Sequence, residues 1–248
     1  IQIAAENKIN ILCEKPMASN MEEALRIVEV CKNNGVKLMI GFKKRFSPTY
    51  RFLKKCFENE FGKPNWLFIK FALGKVDKDW FWEENNGGGA IIENTIHVLD
   101  LLIFFLGLPE RVYAEGGKLF QEKYDQIDGA LITIKFKNGS IASIGAGYAS
   151  EWSIAEEEIC FANEKVAGKV KGRFDFPNIL QYVFRKEPEK IYRKRFSNPA
   201  GFKEEIEHFI KCIKENKEPL ANGEDGINSL KLALAIKKSI KEERIILL

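Results

Sequence analysis

Two stretches that lie far apart in the chain carry side chains able to act on a substrate. Glu14, Lys15 and Pro16 directly follow a short apolar run, residues 11–13. Residues 86–102 read NGGGAIIENTIHVLDLL and place Glu93 and His97 in an otherwise apolar segment. A lysine, a histidine and a carboxylate are the groups that enzymes most often use to move protons. We therefore treat these two stretches as candidate parts of one site.

The second stretch predicts a buried helix that follows a flexible loop of three glycines, residues 87–89. Glu93 and His97 are four residues apart and Asp100 is three further on, so all three share one face of that helix. Buried charge is costly unless it is paired. Two interpretations follow: a core helix that is held by capping and salt bridges, or a helix that presents a catalytic face.

His97 next to a carboxylate is suited to general acid or base catalysis, and burial at a strand end suits Lys15 to the same work. The spacing of Glu93 and His97 also fits two ligands of a metal ion. No third ligand is evident in the sequence, so we predict no metal site. The other histidine, His208, lies on a late amphipathic helix and is predicted to be structural.

The elements before residue 62 alternate between strand and helix. Residues 1–10 resemble the end of a helix, residues 11–13 and 37–42 are short apolar strands, and residues 21–34 and 47–57 are amphipathic helices. Asn20 is the expected N-cap of the first amphipathic helix. This order predicts a parallel sheet of α/β type, with Glu14 and Lys15 at its carboxyl edge, where ligands bind.

After residue 62 the pattern changes to consecutive strands. We predict strands over residues 66–73, 111–118, 129–136, 140–148 and 156–162, with a hairpin turn at Asn138-Gly139. Residues 161–196 are basic, partly aromatic and hard to assign, with further short strands expected. Helices over 202–215 and 225–242 and a last strand over 244–248 complete the chain. The prediction is a first domain, residues 1–62, and a second, residues 63–248, with a large, mainly antiparallel sheet.

Composition excludes several classes of protein. Charged residues are 30% of the chain and the net charge is only +4, which argues against nucleic-acid binding. No apolar run reaches the roughly 18 uncharged residues of a membrane span, so no membrane partner is expected. Five widely spaced cysteines without a C-x-x-C motif predict reduced thiols, and we expect a cytoplasmic protein.

Three segments resemble the glucose–fructose oxidoreductase, inositol dehydrogenase and MocA family. ILCEKPMASN through GFKKRFSP is similar to that family's Glu-Lys-Pro and G-F-x-x-R-F segments, and GGGAIIENTIHVLDLLIFFLG resembles its histidine-bearing helix. Residues 202–240 are similar to its last two helices. The resemblance covers nearly the whole chain and keeps the family's order, so residues 1–62 are identified as the C-terminal remnant of a Rossmann domain.

The resemblance implies an NAD- or NADP-dependent oxidoreductase that moves a hydride between nicotinamide and a hydroxyl carbon of a sugar, cyclitol or related polyol. Lys15 would polarise the substrate oxygen and His97 would be the main acid or base, with Glu93 beside them. Glu93 stands where the family commonly has aspartate, whose side chain is one methylene shorter. Glu14, Lys15, Pro16 and Arg45 would contact the cofactor. Lys43, Trp80, Asn94 and His97 would contact the substrate, and Trp82 is a further candidate wall of the pocket.

The family's G-x-G-x-x-G turn, which holds the cofactor's pyrophosphate at a helix N-terminus, does not occur in residues 1–248. We expect these residues alone to bind the cofactor poorly and to self-associate. A non-catalytic sugar-binding or assembly module that keeps the fold is the alternative function. From the resemblance we also expect a homodimer or homotetramer that forms through the antiparallel sheet, and last helices that pack back on the first domain.

Overall fold

The computed structural model describes residues 1–83, 87–172 and 177–248. Residue 86, the first of the glycine-rich stretch, and residues 173–176 of the segment that was hard to assign lie outside the described residues. The described residues form eleven strands and seven α-helices.

The first 60 residues have the α/β order that the sequence predicts. Two parallel strands, β1 (Ile11–Cys13) and β2 (Leu38–Ile40), pair in register. The helices of this part and the one 3₁₀ turn are α1 (Gln2–Glu6), α2 (Met21–Asn33), the turn Lys43–Arg45, and α3 (Pro48–Asn59). The side chain of Asn20 accepts a hydrogen bond from the backbone N–H of Glu23 at 2.9 Å, which confirms the predicted N-cap.

The rest of the chain is organised around one nine-stranded sheet. Its spatial order is β10-β9-β8-β7-β3-β6-β5-β4-β11, and every pair is antiparallel except β3 with β6. The strands are β3 (Trp66–Ala72), β4 (Pro109–Gly117), β5 (Gly129–Phe136), β6 (Ile141–Gly147), β7 (Glu156–Ala162), β8 (Val166–Gly172), β9 (Asn178–Phe184), β10 (Tyr192–Phe196) and β11 (Ile246–Leu247). The mainly antiparallel sheet is therefore confirmed, and the predicted hairpin at Asn138-Gly139 joins β5 to β6.

Four further helices follow β3: the single turn α4 (Asp79–Trp82), α5 (Ile96–Leu106), α6 (Phe202–Lys214) and α7 (Gly223–Glu242). Residues Ala90–Thr95 just before α5 are π-helical, so the predicted central helix begins with a wide turn. Helix α7 starts two residues earlier than predicted. Asn222 and Asp225 form a capping box, which makes Asp225 the third helical residue.

Helix α7 lies against both parts of the chain. It packs on α5 and β4, and also on α2 and β2 of the first part. A Cβ atom on Gly223 would come within 2.7 Å of Val28, and one on Gly226 within 2.6 Å of the sulfur of Met17. Only glycine allows this close approach, which joins the two-stranded sheet to the larger core.

One face of the large sheet is covered and the other is open. The covered face packs on α7 and, through an edge contact between Phe57 and Phe161, on α3. Phe57 also contacts Phe105 of α5. The open face presents exposed large side chains near its centre: Trp66, Phe68, Tyr113, Leu131 and Ile141. Alternation of buried and exposed residues along the strands produces this division.

Candidate active site

A cavity of about 310 Å³ lies where the end of β1, the π-helical turn and the first turn of α5 meet. The two stretches that the sequence singled out converge on it. Glu14, Lys15, Glu93, Asn94 and His97 form its polar part. The carboxyl end of β1 positions the first two of these side chains. The wide turn before α5 positions Glu93 and Asn94, and the first turn of α5 positions His97.

Lys15 and Glu93 form a partly buried ion pair. The ammonium Nζ of Lys15 lies 2.7 Å from Oε1 of Glu93 and donates a second hydrogen bond, 2.6 Å long, to the backbone carbonyl of Glu93. One carboxylate and one carbonyl therefore hold the ammonium at the cavity wall. Paired in this way, the lysine keeps a donor available for an oxygen atom of a bound ligand.

His97 lies on the same wall and is only 7% exposed. Burial lowers the pKa of its imidazole well below the usual range, and the positive charges of nearby Lys15, Lys44 and Lys43 lower that pKa further. Its buried Nδ1 atom has no hydrogen-bond partner among the described residues. At neutral pH the ring is uncharged, so it can accept a proton from a substrate hydroxyl.

Asn94 and Lys43 complete the polar side of the cavity. The amide of Asn94 donates to the hydroxyl of Tyr148 at 2.7 Å. Burial raises the pKa of Tyr148 above its usual range, so this hydroxyl stays protonated. The ammonium of Lys43 lies 4.0 Å from the ring centroid of Phe202, which also lines the cavity.

The guanidinium of Arg45 lies in a buried cluster and does not line the cavity. It donates to both carboxylate oxygens of Asp100, to Asp225 and to the carbonyl of Leu220, at 2.7 to 3.1 Å. The structure therefore does not bring Arg45 together with the other predicted cofactor contacts. Asp100, which shares the predicted polar face with His97, points to this cluster and not into the cavity. One half of the helical segment is thus salt-bridged core, and the other half lines the cavity.

Three other predicted contacts lie outside the wall of the cavity. Trp80 is 49% exposed on the turn α4 and packs its ring against Phe81. Trp82 is buried, stacks on Tyr124 and donates its indole N–H to the carbonyl of Val76. Pro16 follows Lys15 through a cis peptide bond and does not line the cavity.

The apolar walls were missed by sequence reasoning. Phe71 and Leu73 come from the end of β3, Trp152 from the turn between β6 and β7, and Phe202 from the start of α6. Phe71 and Leu73 lie at the end of a predicted strand, which could have marked them as candidates. No local signal distinguishes Trp152 or Phe202 from ordinary surface aromatics, because only the fold brings them to this place.

A second buried acid lies next to the cavity. Glu205 on α6 is 3% exposed, and its Oε1 atom has no partner within the described part of the chain. Burial raises the pKa of this carboxyl to about 7, and the negative charge of Glu14 raises it while that of Lys43 lowers it. Near neutral pH this carboxyl therefore binds a proton far more readily than an exposed glutamate does.

These residues fit the reactive end of a nicotinamide cofactor. The cavity adjoins the carboxyl end of the parallel strands, where dinucleotides bind in such sheets, and contains a cation, a carboxylate and a neutral imidazole without a partner on its buried nitrogen. Glu14 and Lys15, two of the predicted cofactor contacts, line this cavity. A pyrophosphate-binding glycine turn is not found in these 248 residues.

Neither a metal centre nor a membrane span is evident. The described residues contain no group of three or more histidine, cysteine, aspartate or glutamate side chains placed to hold a metal ion. Among the same residues, every helix is too short or too polar to cross a bilayer. Glu93, the candidate metal ligand, binds Lys15 instead.

Comparison with known proteins gives relatives along nearly the whole chain. Myo-inositol 2-dehydrogenase of Thermotoga maritima is 28% identical over 97% of this chain and 73% of that protein. The 1,5-anhydro-D-fructose reductase of Ensifer adhaerens is 26% identical over 93% of this chain and 70% of its own length. The chain is similar to both of these proteins.

Solved structures show the same architecture. An aldose–aldose oxidoreductase from Caulobacter crescentus superposes with a TM-score of 0.86 at 20% identity and covers all of this chain and 74% of that one. A probable dehydrogenase from Thermotoga maritima gives 0.80 at 26% identity, over 99% of this chain and 75% of that one.

Two family models divide the chain between them. Residues 1–42 match an oxidoreductase family with an NAD-binding Rossmann fold, and residues 54–248 match the C-terminal alpha/beta domain of the same family. The second match alone covers most of the chain. The protein therefore belongs to the Gfo/Idh/MocA family of oxidoreductases.

Proposed function

We propose that this cavity binds a sugar, cyclitol or related polyol and oxidises one of its hydroxyl carbons or reduces the matching carbonyl. The observation that carries the proposal is the meeting of Lys15, Glu93 and a neutral His97 on one wall of a cavity of about 310 Å³. That volume is near the lower end for small-molecule sites and suits a single sugar or polyol.

The roles of the residues follow from their charge. The ammonium of Lys15 donates a hydrogen bond to the substrate oxygen and stabilises the negative charge that develops there. In oxidation His97 accepts the hydroxyl proton, while the C–H bond of the same carbon loses its hydrogen as hydride and the carbonyl forms. In reduction His97 returns the proton to the oxygen. Glu93 holds Lys15, and Asn94 and Lys43 contact other hydroxyl groups.

A bound nicotinamide supplies the hydride acceptor in oxidation and the hydride donor in reduction. Glu14 and Lys15 are the residues of this chain that would lie nearest to it. The choice between NAD and NADP depends on a ribose-reading side chain of the Rossmann domain. Five free cysteines support a reducing compartment, for which we propose the cytoplasm.

The open face of the sheet supports association with a second copy. Trp66 and Phe68 stand side by side on it, and Leu131 is 71% exposed. A patch of this kind is typical of an interface. Sedimentation of the wild type and of Leu131→Arg tests this: we expect the substitution to lower the oligomeric state. A wild-type monomer would contradict the proposal.

The enzymatic proposal is tested by scanning cyclitols, aldoses and alditols with NAD and with NADP, following absorbance of the reduced nicotinamide. The chain is assayed as it is here and also preceded by the first half of a Rossmann domain, which supplies the glycine turn. We expect turnover of at least one polyol in the second form. His97→Ala should lower kcat by about 10²–10⁴.

The matched control is Trp80→Ala, since Trp80 is exposed away from the cavity. It should keep the wild-type rate. Binding of a polyol without turnover in either form would instead support the non-catalytic module.

A further inference from the structure

We propose that Trp152 is the stacking platform for the apolar face of a cyclic polyol and so selects ring substrates over open-chain ones. This inference rests on the proposed function and specifies its substrate class: a six-membered ring, either a pyranose or a cyclitol. Trp152 lines the same cavity as Lys15 and His97 but comes from a turn that contributes no acid–base group to the lining.

The cavity has two chemically different kinds of lining. Lys15, Glu93, Asn94 and His97 are polar, and Phe71, Leu73, Trp152 and Phe202 are apolar. A ring polyol has the same division, because its hydroxyl groups project from the rim while its axial C–H bonds form an apolar face. An open-chain polyol has no such face. A flat aromatic side chain in the same cavity as the polar groups therefore complements a ring.

Among the apolar walls, Trp152 and Phe202 are the exposed ones. Phe71 and Leu73 are buried in the core, whereas Trp152 is 47% and Phe202 is 46% exposed. The ring of Phe202 already lies 4.0 Å from the ammonium of Lys43. A ligand in the cavity would cover indole surface that is now open to water. Contact with Trp152 therefore buries additional apolar surface, whereas the surface of Phe71 and Leu73 is already buried.

The indole is also held in place. Its Nε1–H donates to the backbone carbonyl of Lys75 at 2.9 Å. Gly74 packs directly under the ring, since a Cβ atom there would come within 2.5 Å of Cγ and Cδ1. The strand end that carries Gly74 is itself tied to the turn, because the N–H of Ser150 donates to the carbonyl of Leu73. A platform fixed in this way loses little side-chain entropy when a ligand stacks on it.

The first test is binding of myo-inositol and D-xylose, with the open-chain alditol sorbitol as comparison, to the whole chain by calorimetry. We expect Trp152→Ala to raise the Kd of the ring compounds by about 10-fold and to leave that of sorbitol within about 2-fold. Trp152→Phe keeps a ring but loses the bond to Lys75, so its effect should be smaller. Trp80→Ala is the control and should bind as the wild type does.

A second variant reports on the position of the platform. In Gly74→Ala the added Cβ would lie within 2.5 Å of both the indole and the backbone nitrogen of Trp152, so the turn must shift together with its indole. This variant keeps Trp152 and should weaken binding of the ring compounds in the same direction. Circular dichroism and thermal melting identify any variant that fails to fold. If Trp152→Ala fails to fold, Gly74→Ala and Trp152→Phe give the result.

The outcomes separate this inference from the proposed function. Turnover of a ring substrate with an unchanged KM in folded Trp152→Ala would overturn the platform and leave the enzyme intact. Ring binding that depends on Trp152, but with no turnover in any form, would support the platform and contradict the oxidoreductase. Equal losses for sorbitol and myo-inositol, or no ring binding by the wild type, would overturn the platform.

Discussion

The ammonium of Lys15 and the carboxylate of Glu93 are 2.7 Å apart although 78 residues separate them in the chain. This contact joins the end of a parallel strand to the wide turn before α5. It also sets the distance between the lysine and His97, since Glu93 and His97 lie on adjacent turns of one continuous segment. The geometry of the site thus depends on the length of the side chain at position 93.

Shortening that side chain should misplace the lysine. In Glu93→Asp the carboxylate loses one methylene and no longer reaches Nζ of Lys15, whose backbone contact to residue 93 remains. We expect kcat/KM to fall about 10- to 100-fold, the loss typical of small errors in positioning. Steady-state kinetics measure it, with Glu93→Gln as the variant that keeps length but not charge. Wild-type kinetics in Glu93→Asp would show that the ion pair does not set the geometry.

The protonation of His97 should respond to a buried cation behind it. Lys44 pairs with Glu157 and is one of the charges that lower the pKa of His97. Replacing both, in Lys44→Gln with Glu157→Gln, removes the cation without leaving a lone buried carboxylate. The pKa of His97 should rise toward its usual value, and the acid limb of the rate should move to higher pH.

NMR titration measures this change directly, because the sequence has only two histidines and His208→Asn assigns the signals. Lys44→Arg keeps the charge and should leave the titration of His97 unchanged. A histidine that titrates at its usual pKa in the wild type would contradict the description of the site.

The pair of Arg45 and Asp100 should be a large contributor to stability that depends on both partners. Arg45→Met leaves Asp100 buried with Ser229 as its remaining hydrogen-bond donor, and we expect a loss of about 3–5 kcal/mol in the free energy of unfolding. Arg111→Met is the control, since its ion pair with Glu110 is exposed and should contribute at most about 1 kcal/mol. Chemical denaturation distinguishes the two, and equal effects would refute the buried cluster.

Glu205 should make stability depend on pH near neutrality. Its folded-state pKa of about 7 is above that of the unfolded chain, so between these values the folded state binds more protons. Stability contributed by the protonated acid is present at low pH and is lost as pH rises through 7. Glu205→Gln should therefore be more stable than the wild type at pH 8, by about 1–2 kcal/mol after discounting for solvent screening, and similar to it at pH 5. If melting curves showed the same difference in stability between Glu205→Gln and the wild type at both pH values, this prediction would be wrong.

Much of this fold was predictable because its signals are local. The N-cap at Asn20, the turn at Asn138-Gly139 and the alternation along β3, β5 and β6 each depend on a few neighbouring residues. The capping box before α7 was missed, although Asn222 and Asp225 carry its signature three residues apart. The π-helical turn was also missed, since hydrophobic spacing predicts a helix without specifying its pitch.

Family motifs predicted part of the cavity lining but not all of it. Lys15 and His97 line one cavity, whereas Arg45 and Trp80 do not. For Arg45 the reason is tertiary packing, which decides the charged groups that surround its side chain. Asp225 and the carbonyl of Leu220, both near the end of the chain, take up the guanidinium of Arg45. No pattern around residue 45 announces these partners.

The turn between β6 and β7 contributes Trp152 to the cavity and none of the proton-carrying groups. The acid–base groups thus lie in two segments that pack into the core, whereas the platform that we propose for the substrate lies in a surface turn between two strands that β3 separates in the sheet. Under that proposal, mutations in the turn exchange one substrate for another while the reaction is preserved. A scaffold divided in this way allows new substrate specificities to evolve without a change in the acid–base groups.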